Sequence, residues 1–146
     1  DLDMVVNNVN MPVYIYKNQS EEFNNNNYIR LKFEGQGKNT FAIGTTAMLY
    51  YNNYEVLQEL MPYRGFQSSM DYTMTIGLGK AESIDSIRII WPDDSTQKLE
   101  NVSVNQELNL KQSEANGKYK YSKRSTTKTL LASVDNSQTV AHKENN

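Results

Sequence analysis

The stretch Tyr28-Ile29-Arg30-Leu31-Lys32-Phe33 alternates without interruption, with Tyr28, Arg30 and Lys32 on one face and Ile29, Leu31 and Phe33 on the other. Successive side chains of a strand point to opposite sides, so a period of two predicts a β-strand with one wet and one packed face. Towards the N-terminus, Asn24 to Asn27 is a run of turn-forming residues, and Val13-Tyr14-Ile15-Tyr16 is β-branched and aromatic behind Pro12. Met4-Val5-Val6 is a further short strand, ended by Asn7-Asn8. Towards the C-terminus, Gly35 to Asn39 reads as a flexible loop and Ile43 to Tyr51 as a strand. Asn52-Asn53 then makes a hairpin turn, and Tyr54 to Leu60 is the return strand.

The pattern continues to residue 110. Tyr72 to Leu78 alternates and ends in Gly77-Leu78-Gly79, whose glycines are expected to turn the chain sharply. Ile84 to Trp91 places Ile84, Ser86, Arg88 and Ile90 on one face, with Asp85, Ile87, Ile89 and Trp91 on the other. Pro92-Asp93-Asp94-Ser95 is a tight turn, Thr96 to Leu99 its return strand, and Val104 to Leu110 the last strand. No segment carries a sustained helical apolar stripe, and Glu55 to Leu60 is the one weak helical alternative. Short strands with turn signals every 8 to 12 residues or so predict an all-β chain, an antiparallel β-sandwich or barrel-like domain with short loops.

Composition narrows the function classes. The 146 residues suit one domain and carry a net charge of −2, so no overall basic field calls for a nucleic-acid partner. The chain has no Cys, which removes disulfides and thiolate chemistry, and a single His, His142, placed in a polar tail. No apolar run approaches the roughly 20 residues of a membrane-spanning helix, so no span is expected in this segment. The charge is uneven. Residues 1–110 hold eight Lys/Arg against fourteen Asp/Glu, whereas residues 111–146 hold seven against three. That basic stretch, with Lys118, Lys120, Lys123, Arg124 and Lys128, reads as a solvated connector or an edge strand on which Lys discourages unwanted pairing. A less favoured reading makes it an arm for an acidic partner.

Several candidate motifs have plainer readings. Gly77-Leu78-Gly79-Lys80 lacks the remainder of a phosphate loop, because Met74 and Ala81 stand where Gly and Ser/Thr are needed. Asp93-Asp94 reads as a solvated turn, and His142 is too close to the end of the chain to be held as a catalytic base. Asn18-Gln19-Ser20 and Asn101-Val102-Ser103 spell glycosylation sequons and matter only in a glycosylating secretory pathway. Tyr50, Tyr51, Tyr54, Tyr63 and Tyr72 offer flat apolar faces with polar tips, suited to sugar rings or interfaces, although strands favour Tyr in any case. The stretch Arg64-Gly65-Phe66-Gln67-Ser68-Ser69 after Pro62 and Tyr63 combines polar side chains in a connection, where binding groups usually sit. By composition alone it could equally be a buried connection whose polar groups satisfy backbone.

That stretch, followed by Ile76-Gly77-Leu78-Gly79 and by Asp85-Ser86-Ile87-Arg88-Ile89-Ile90-Trp91-Pro92, resembles the ASPIC/UnbV domain. Asn27-Tyr28-Ile29-Arg30-Leu31 with Gly35 and Ile43-Gly44-Thr45 is similar to the earlier part of the family pattern, so the resemblance covers residues about 27–110. Ile76 stands where Phe is usual and Thr45 where Ala is common, both readable as core adjustments. Asp1 to Asn8 resembles the final strand of an FG-GAP/VCBS β-propeller repeat. There Asp3 would be a remnant of an upstream calcium loop, too poor in oxygens to bind well with Asp1 alone. Val140 to Asn146 resembles the start of a further propeller unit.

The resemblance implies three parts: the end of a preceding repeat and entry segment over 1–26, the ASPIC/UnbV-like domain over 27–110, and a connector with the start of the next module over 111–146. It implies a non-catalytic interaction or structural module of a large bacterial protein, extracellular, at the cell surface or periplasmic. Its partners would be the flanking propeller repeats and a glycan or protein ligand. Tyr63, Arg64, Gln67, Ser68 and Ser69 are the candidate contacts. The domain itself is expected to hold no cofactor, with calcium confined to neighbouring repeats. The alternative is an accessory domain of a carbohydrate-processing hydrolase, in which Glu59, Asp71 or Asp85 would supply carboxylates near the Arg64 loop. A spacer that only sets the angle between propellers is the plainest reading.

Overall fold

The computed structural model describes residues 2–122. The tail with Lys123, Arg124, Lys128 and His142 therefore lies outside the described residues, as does Asp1. The chain is all-β. After the hairpin β1 (Met4–Val6) and β2 (Tyr14–Tyr16) comes one turn of helix, α1 (Ser20–Phe23). The body follows as β3 (Asn27–Glu34), β4 (Thr46–Tyr51), β5 (Tyr54–Glu59), β6 (Met74–Gly79), β7 (Ser83–Ile90), β8 (Ser95–Ser103), β9 (Gln106–Lys111) and β10 (Gly117–Lys118).

Two sheets build the body, one of five strands in the order β10-β8-β7-β4-β5 and one of three in the order β6-β3-β9. The opening alternation is realised as read, with Ile29 and Leu31 fully buried and Phe33 nearly so. Facing them across the interior are Ala47 and Leu49 of β4 and Ile87 and Ile89 of β7, so both sheets feed a single apolar core. Trp91 closes one end of it, edge-on to Phe33 at 5.8 Å between ring centroids. The architecture is a sandwich with no closed barrel.

The sheets are not antiparallel throughout. β9 runs parallel to β3, pairing Ile29 with Gln106 through to Glu34 with Lys111. The cause lies in the short β8–β9 connection, which carries the chain from one sheet to the other instead of through a hairpin. Asn105, at φ 57°, fixes the landing point: its N–H donates to the Tyr28 carbonyl at 2.7 Å, and its Oδ1 accepts from the Tyr28 N–H at 3.1 Å. An Asn side chain can serve a neighbouring backbone in this way and also tolerates the left-handed region.

Local departures from the sequence reading have equally local causes. β4 begins at Thr46 rather than Ile43, because Ala42 and Gly44 adopt positive φ and Asn39 grips Ile43 through both its N–H and its carbonyl. The loop expected to be flexible folds back on itself: a Cβ on Gly35 would stand 2.0 Å from the Asn39 carbonyl oxygen. Gly77 lies inside β6, opposite the shift in the β3–β6 register, while Gly79, at φ 59°, stands in the turn to β7 that the Ala81 N–H closes on the Leu78 carbonyl at 3.2 Å. Glu55 to Glu59 is strand, removing the helical alternative. In β7 the alternation breaks after Ile84, so Ile84 is buried and Asp85 exposed, the reverse of the faces assigned from spacing. Opposite this break, Asn101 of β8 has φ 52°, and the ladder skips the Asp85–Asn101 pair.

Both Asn52 and Asn53 have positive φ, as a two-residue hairpin turn requires. In the second hairpin Trp91 and Asp94 close the turn, with Asp94 at φ 64°. The five-stranded sheet extends past residue 110, since Gly117 and Lys118 pair with Thr96 and Ser95. β10 is an edge strand, and its exposed Lys118 is the residue type that keeps such an edge from pairing further.

Candidate functional site

The residues singled out from sequence form a projecting loop between β5 and β6. Its base is anchored where the Leu60 N–H donates to the Thr45 carbonyl and the Gly44 N–H to the Leu60 carbonyl. Pro62 is buried, and the Met70 N–H donates to the Pro62 carbonyl at 2.8 Å. One antiparallel bridge joins Tyr63 to Ser69, so these two candidates are brought face to face. Above it Gly65 and Gln67 take positive φ, and the tip turns over. The Ser68 hydroxyl donates to the Arg64 carbonyl at 2.5 Å, so it braces the loop from within.

The loop is exposed from Tyr63 to Met70, which excludes the buried-connection reading. Phe66 at its apex is 90% solvent-accessible, an unusual position for a large apolar ring. Arg64 has no ion pair among the described residues. The arrangement presents a cation, two aromatic rings and the Gln67 amide on a braced finger. The loop lines neither of the two cavities described below, and its exposed groups suit a contact surface.

The tyrosines do not gather. Tyr51 is buried in the core and tilts against Tyr54 at 6.1 Å, while Tyr50 lies on the outer face of the large sheet. Burial raises the Tyr50 phenol above its usual value, and the Glu55 carboxylate that accepts its hydrogen bond at 3.3 Å adds to the effect. Tyr72 stacks flat on Phe41 at 4.3 Å. Phe41 went unnoticed in the sequence because it is isolated there, and only the folded-back 35–44 segment delivers it to Tyr72.

Two cavities lie away from the loop. The first, of about 400 Å³, lies between the turn of the β4–β5 hairpin and the end of β6, lined by Tyr51, Tyr54, Leu78 and Lys80 among others. The second, of about 340 Å³, lies on the outer face of the large sheet, between Arg88 and Lys98 on one side and Lys118, Tyr119 and Lys120 on the other. No carboxylate lines either cavity. Of the carboxylates considered for hydrolysis, Asp71 accepts the Thr73 N–H at 3.2 Å in a local turn. Glu59 and Asp85 are exposed on different strands.

The Asp93-Asp94 turn is a solvated turn, as read. Ser95 donates to Asp93 Oδ1 from its hydroxyl (2.5 Å) and its N–H (3.0 Å) and holds that carboxyl below the usual carboxylate value, with Lys118 adding to the effect. Asp94 accepts from the Tyr121 hydroxyl at 3.1 Å. As for calcium, Asp3 Oδ1 accepts the Asn18 N–H at 2.9 Å, and the described residues bring no three acidic or His groups together. Calcium asks for six to eight oxygens, so the described residues around Asp3 do not fit that ion. No helix among the described residues is long and apolar enough to cross a membrane.

The described residues thus form an all-β sandwich with an exposed, braced loop between β5 and β6. The chain belongs to the ASPIC and UnbV family, whose model matches residues 35–117. That range ends on β10, so the family unit includes the edge strand. The two departures from the family pattern sit in the core: Ile76 is 4% exposed, and Thr45 is fully buried with its hydroxyl donating to the Ala42 carbonyl at 2.7 Å. No curated protein matches the chain.

Proposed function

We propose that this chain is a non-catalytic interaction or structural module set between β-propeller units of a large cell-surface, secreted or periplasmic bacterial protein. The observation that carries the reading is the β1–β2 hairpin. It forms a two-stranded sheet of its own, and its Val5, Tyr14, Ile15 and Tyr16 are all exposed. A lone hairpin is marginal in water, and apolar residues on both its faces call for a neighbouring sheet. The last strands of a preceding FG-GAP/VCBS repeat, the origin read for residues 1–26, would have such a neighbour in the rest of their blade. Membership of the ASPIC and UnbV family is consistent with an accessory, non-catalytic role.

Within that module the 62–70 loop is the contact surface for glycan or protein, through Tyr63, Arg64 and Gln67. Two experiments test the reading. Propeller repeats encoded on both sides of this segment, with a secretion or lipoprotein signal in the same frame, support it, and their absence overturns the placement. A glycan-array and pull-down screen in which Tyr63→Ala and Arg64→Ala leave every interaction intact overturns the loop assignment.

A further inference from the structure

The two sheets treat the charges on their outer faces differently. On the small sheet Arg30 and Lys32 of β3 share Glu107 of β9, with Lys32 Nζ 2.8 Å from its carboxylate. On the large sheet Arg88 of β7 stands directly opposite Lys98 of β8, in the same row as Met48 of β4. Like charges directly opposite each other in a ladder are destabilising. Lys98 is relieved by Glu100 on its own strand, but Arg88 is half-buried and has no ion pair among the described residues. The 340 Å³ groove opens over this pair, and β10 with the residues after it walls the far side with Lys118, Tyr119 and Lys120.

That wall is built. Lys118 is tied to Asp93 by its ammonium, which donates to the Asp93 carbonyl at 2.8 Å. The Tyr119 N–H donates to the Asp94 carbonyl at 2.8 Å, and its ring meets Tyr121 edge-on at 4.9 Å. Tyr121 is in turn bonded to Asp94. Asp93 and Glu100 compensate Lys118 and Lys98, which leaves Arg88 and Lys120 as the uncompensated cations beside a held aromatic ring.

We infer that this groove binds an acidic saccharide, a sugar ring bearing a carboxylate or sulfate, with the anion on Arg88 and the ring against Tyr119. Guanidinium binds carboxylate and sulfate through paired charge-assisted hydrogen bonds, and a Tyr face suits the apolar side of a sugar. The volume falls in the range of small-ligand sites, about 300–1,000 Å³. The chain as a whole carries a net charge of −2, which gives no overall basic field for a long polyanion such as nucleic acid, and the DNA arm of the test below decides that point. The inference rests on the reading of the domain as a binding module, and it does not use the 62–70 loop.

The test is titration calorimetry of the 146-residue chain at low salt. The probes are a tetragalacturonate, a heparin-derived tetrasaccharide, neutral cellotetraose, inorganic sulfate and a short single-stranded DNA. At least one acidic tetrasaccharide is expected to bind, with cellotetraose, sulfate and DNA each about tenfold weaker or more. The two acidic arms distinguish a carboxylate source from a sulfate source. Arg88→Gln should cost about tenfold, Tyr119→Ala and Lys120→Gln each about threefold, and Lys38→Gln, an exposed lysine of the 35–44 loop, nothing. The ligand-free Arg88→Gln protein should melt at or above the wild-type temperature, since a like-charge pair has been removed. If it unfolds instead, Lys120→Gln, exposed beyond β10, carries the test. Equal binding of cellotetraose, sulfate or DNA overturns the inference, as does no binding or insensitivity to Arg88, Tyr119 and Lys120. Binding lost in Arg64→Ala but kept in Arg88→Gln overturns the groove while leaving the module reading intact. No glycan or protein ligand in any screen sinks both.

Discussion

The hairpin β1–β2 and the strand β3 are written in similar residues and meet opposite fates. Ile29 and Leu31 are sealed between two sheets, whereas Val5 and Ile15 sit 64% and 72% exposed. Apolar residues on a strand face announce that something should cover it, but they do not say what. For β3 the cover is encoded within the chain, in β6 and β9 beside it and in the large sheet across the core. For the hairpin no cover lies among the described residues.

The largest expected effect lies at the seam between the sheets. Trp91→Ala empties a fully enclosed site against Phe33 and should cost about 3–5 kcal/mol in chemical denaturation. A loss below about 1 kcal/mol would mean that the two sheets do not share one core. Next comes Gly35→Ala, because the new methyl would collide with the Asn39 carbonyl. A cost of about 1–3 kcal/mol is expected, and a neutral result would contradict the folded-back 35–44 loop. Ile15→Ala should shift the stability of the isolated chain by no more than about 0.5 kcal/mol, whereas the same change at Ile29 should cost about 2–5 kcal/mol. Equal losses at the two positions would erase the distinction between hairpin and body.

The smallest expected effect is electrostatic. Asp93 is held below the ordinary carboxylate value when folded, so its contribution is present above about pH 4 and lost as the pH falls through the lowered folded value. Asp93→Asn has no such contribution to lose. Its melting temperature should lie within about 2 °C of the wild type above pH 4, because the group is largely solvated, and the two curves should converge on acidification. A gap that widens below pH 4 would show that the turn is held by something other than this carboxylate.

Strand identity and turn chemistry were legible in the sequence, because alternation and Asn or Asp at turns are local properties. The faces of β3, the Asn52-Asn53 turn and the Pro92 to Ser95 turn are as read. What failed depends on partners far along the chain. Strict alternation groups Asp85 with Ile87 and Ile89, but the ladder breaks between them, opposite Asn101 in the next strand. The parallel pairing of β9 was invisible for the same reason, since its determinant is a single Asn meeting Tyr28. The 62–70 loop was recognisable by composition, but the bracing of Arg64 by Ser68 was not. The juxtaposition of Arg88 with Lys98 follows from hairpin register, to which charge counting along the sequence is blind.

The parallel pairing has a consequence in time. Asn105 and Tyr28 are 77 positions apart, and the middle strand of the small sheet stays open along one edge until β9 arrives. Closing so long a loop must precede the contacts that reward it, so folding should be slow and dominated by non-local steps. On the ribosome the chain must be synthesised at least to Lys111 before that edge is covered. Until then β3 remains an exposed template for mispairing, and a nascent chain stalled short of β9 is where aggregation would begin.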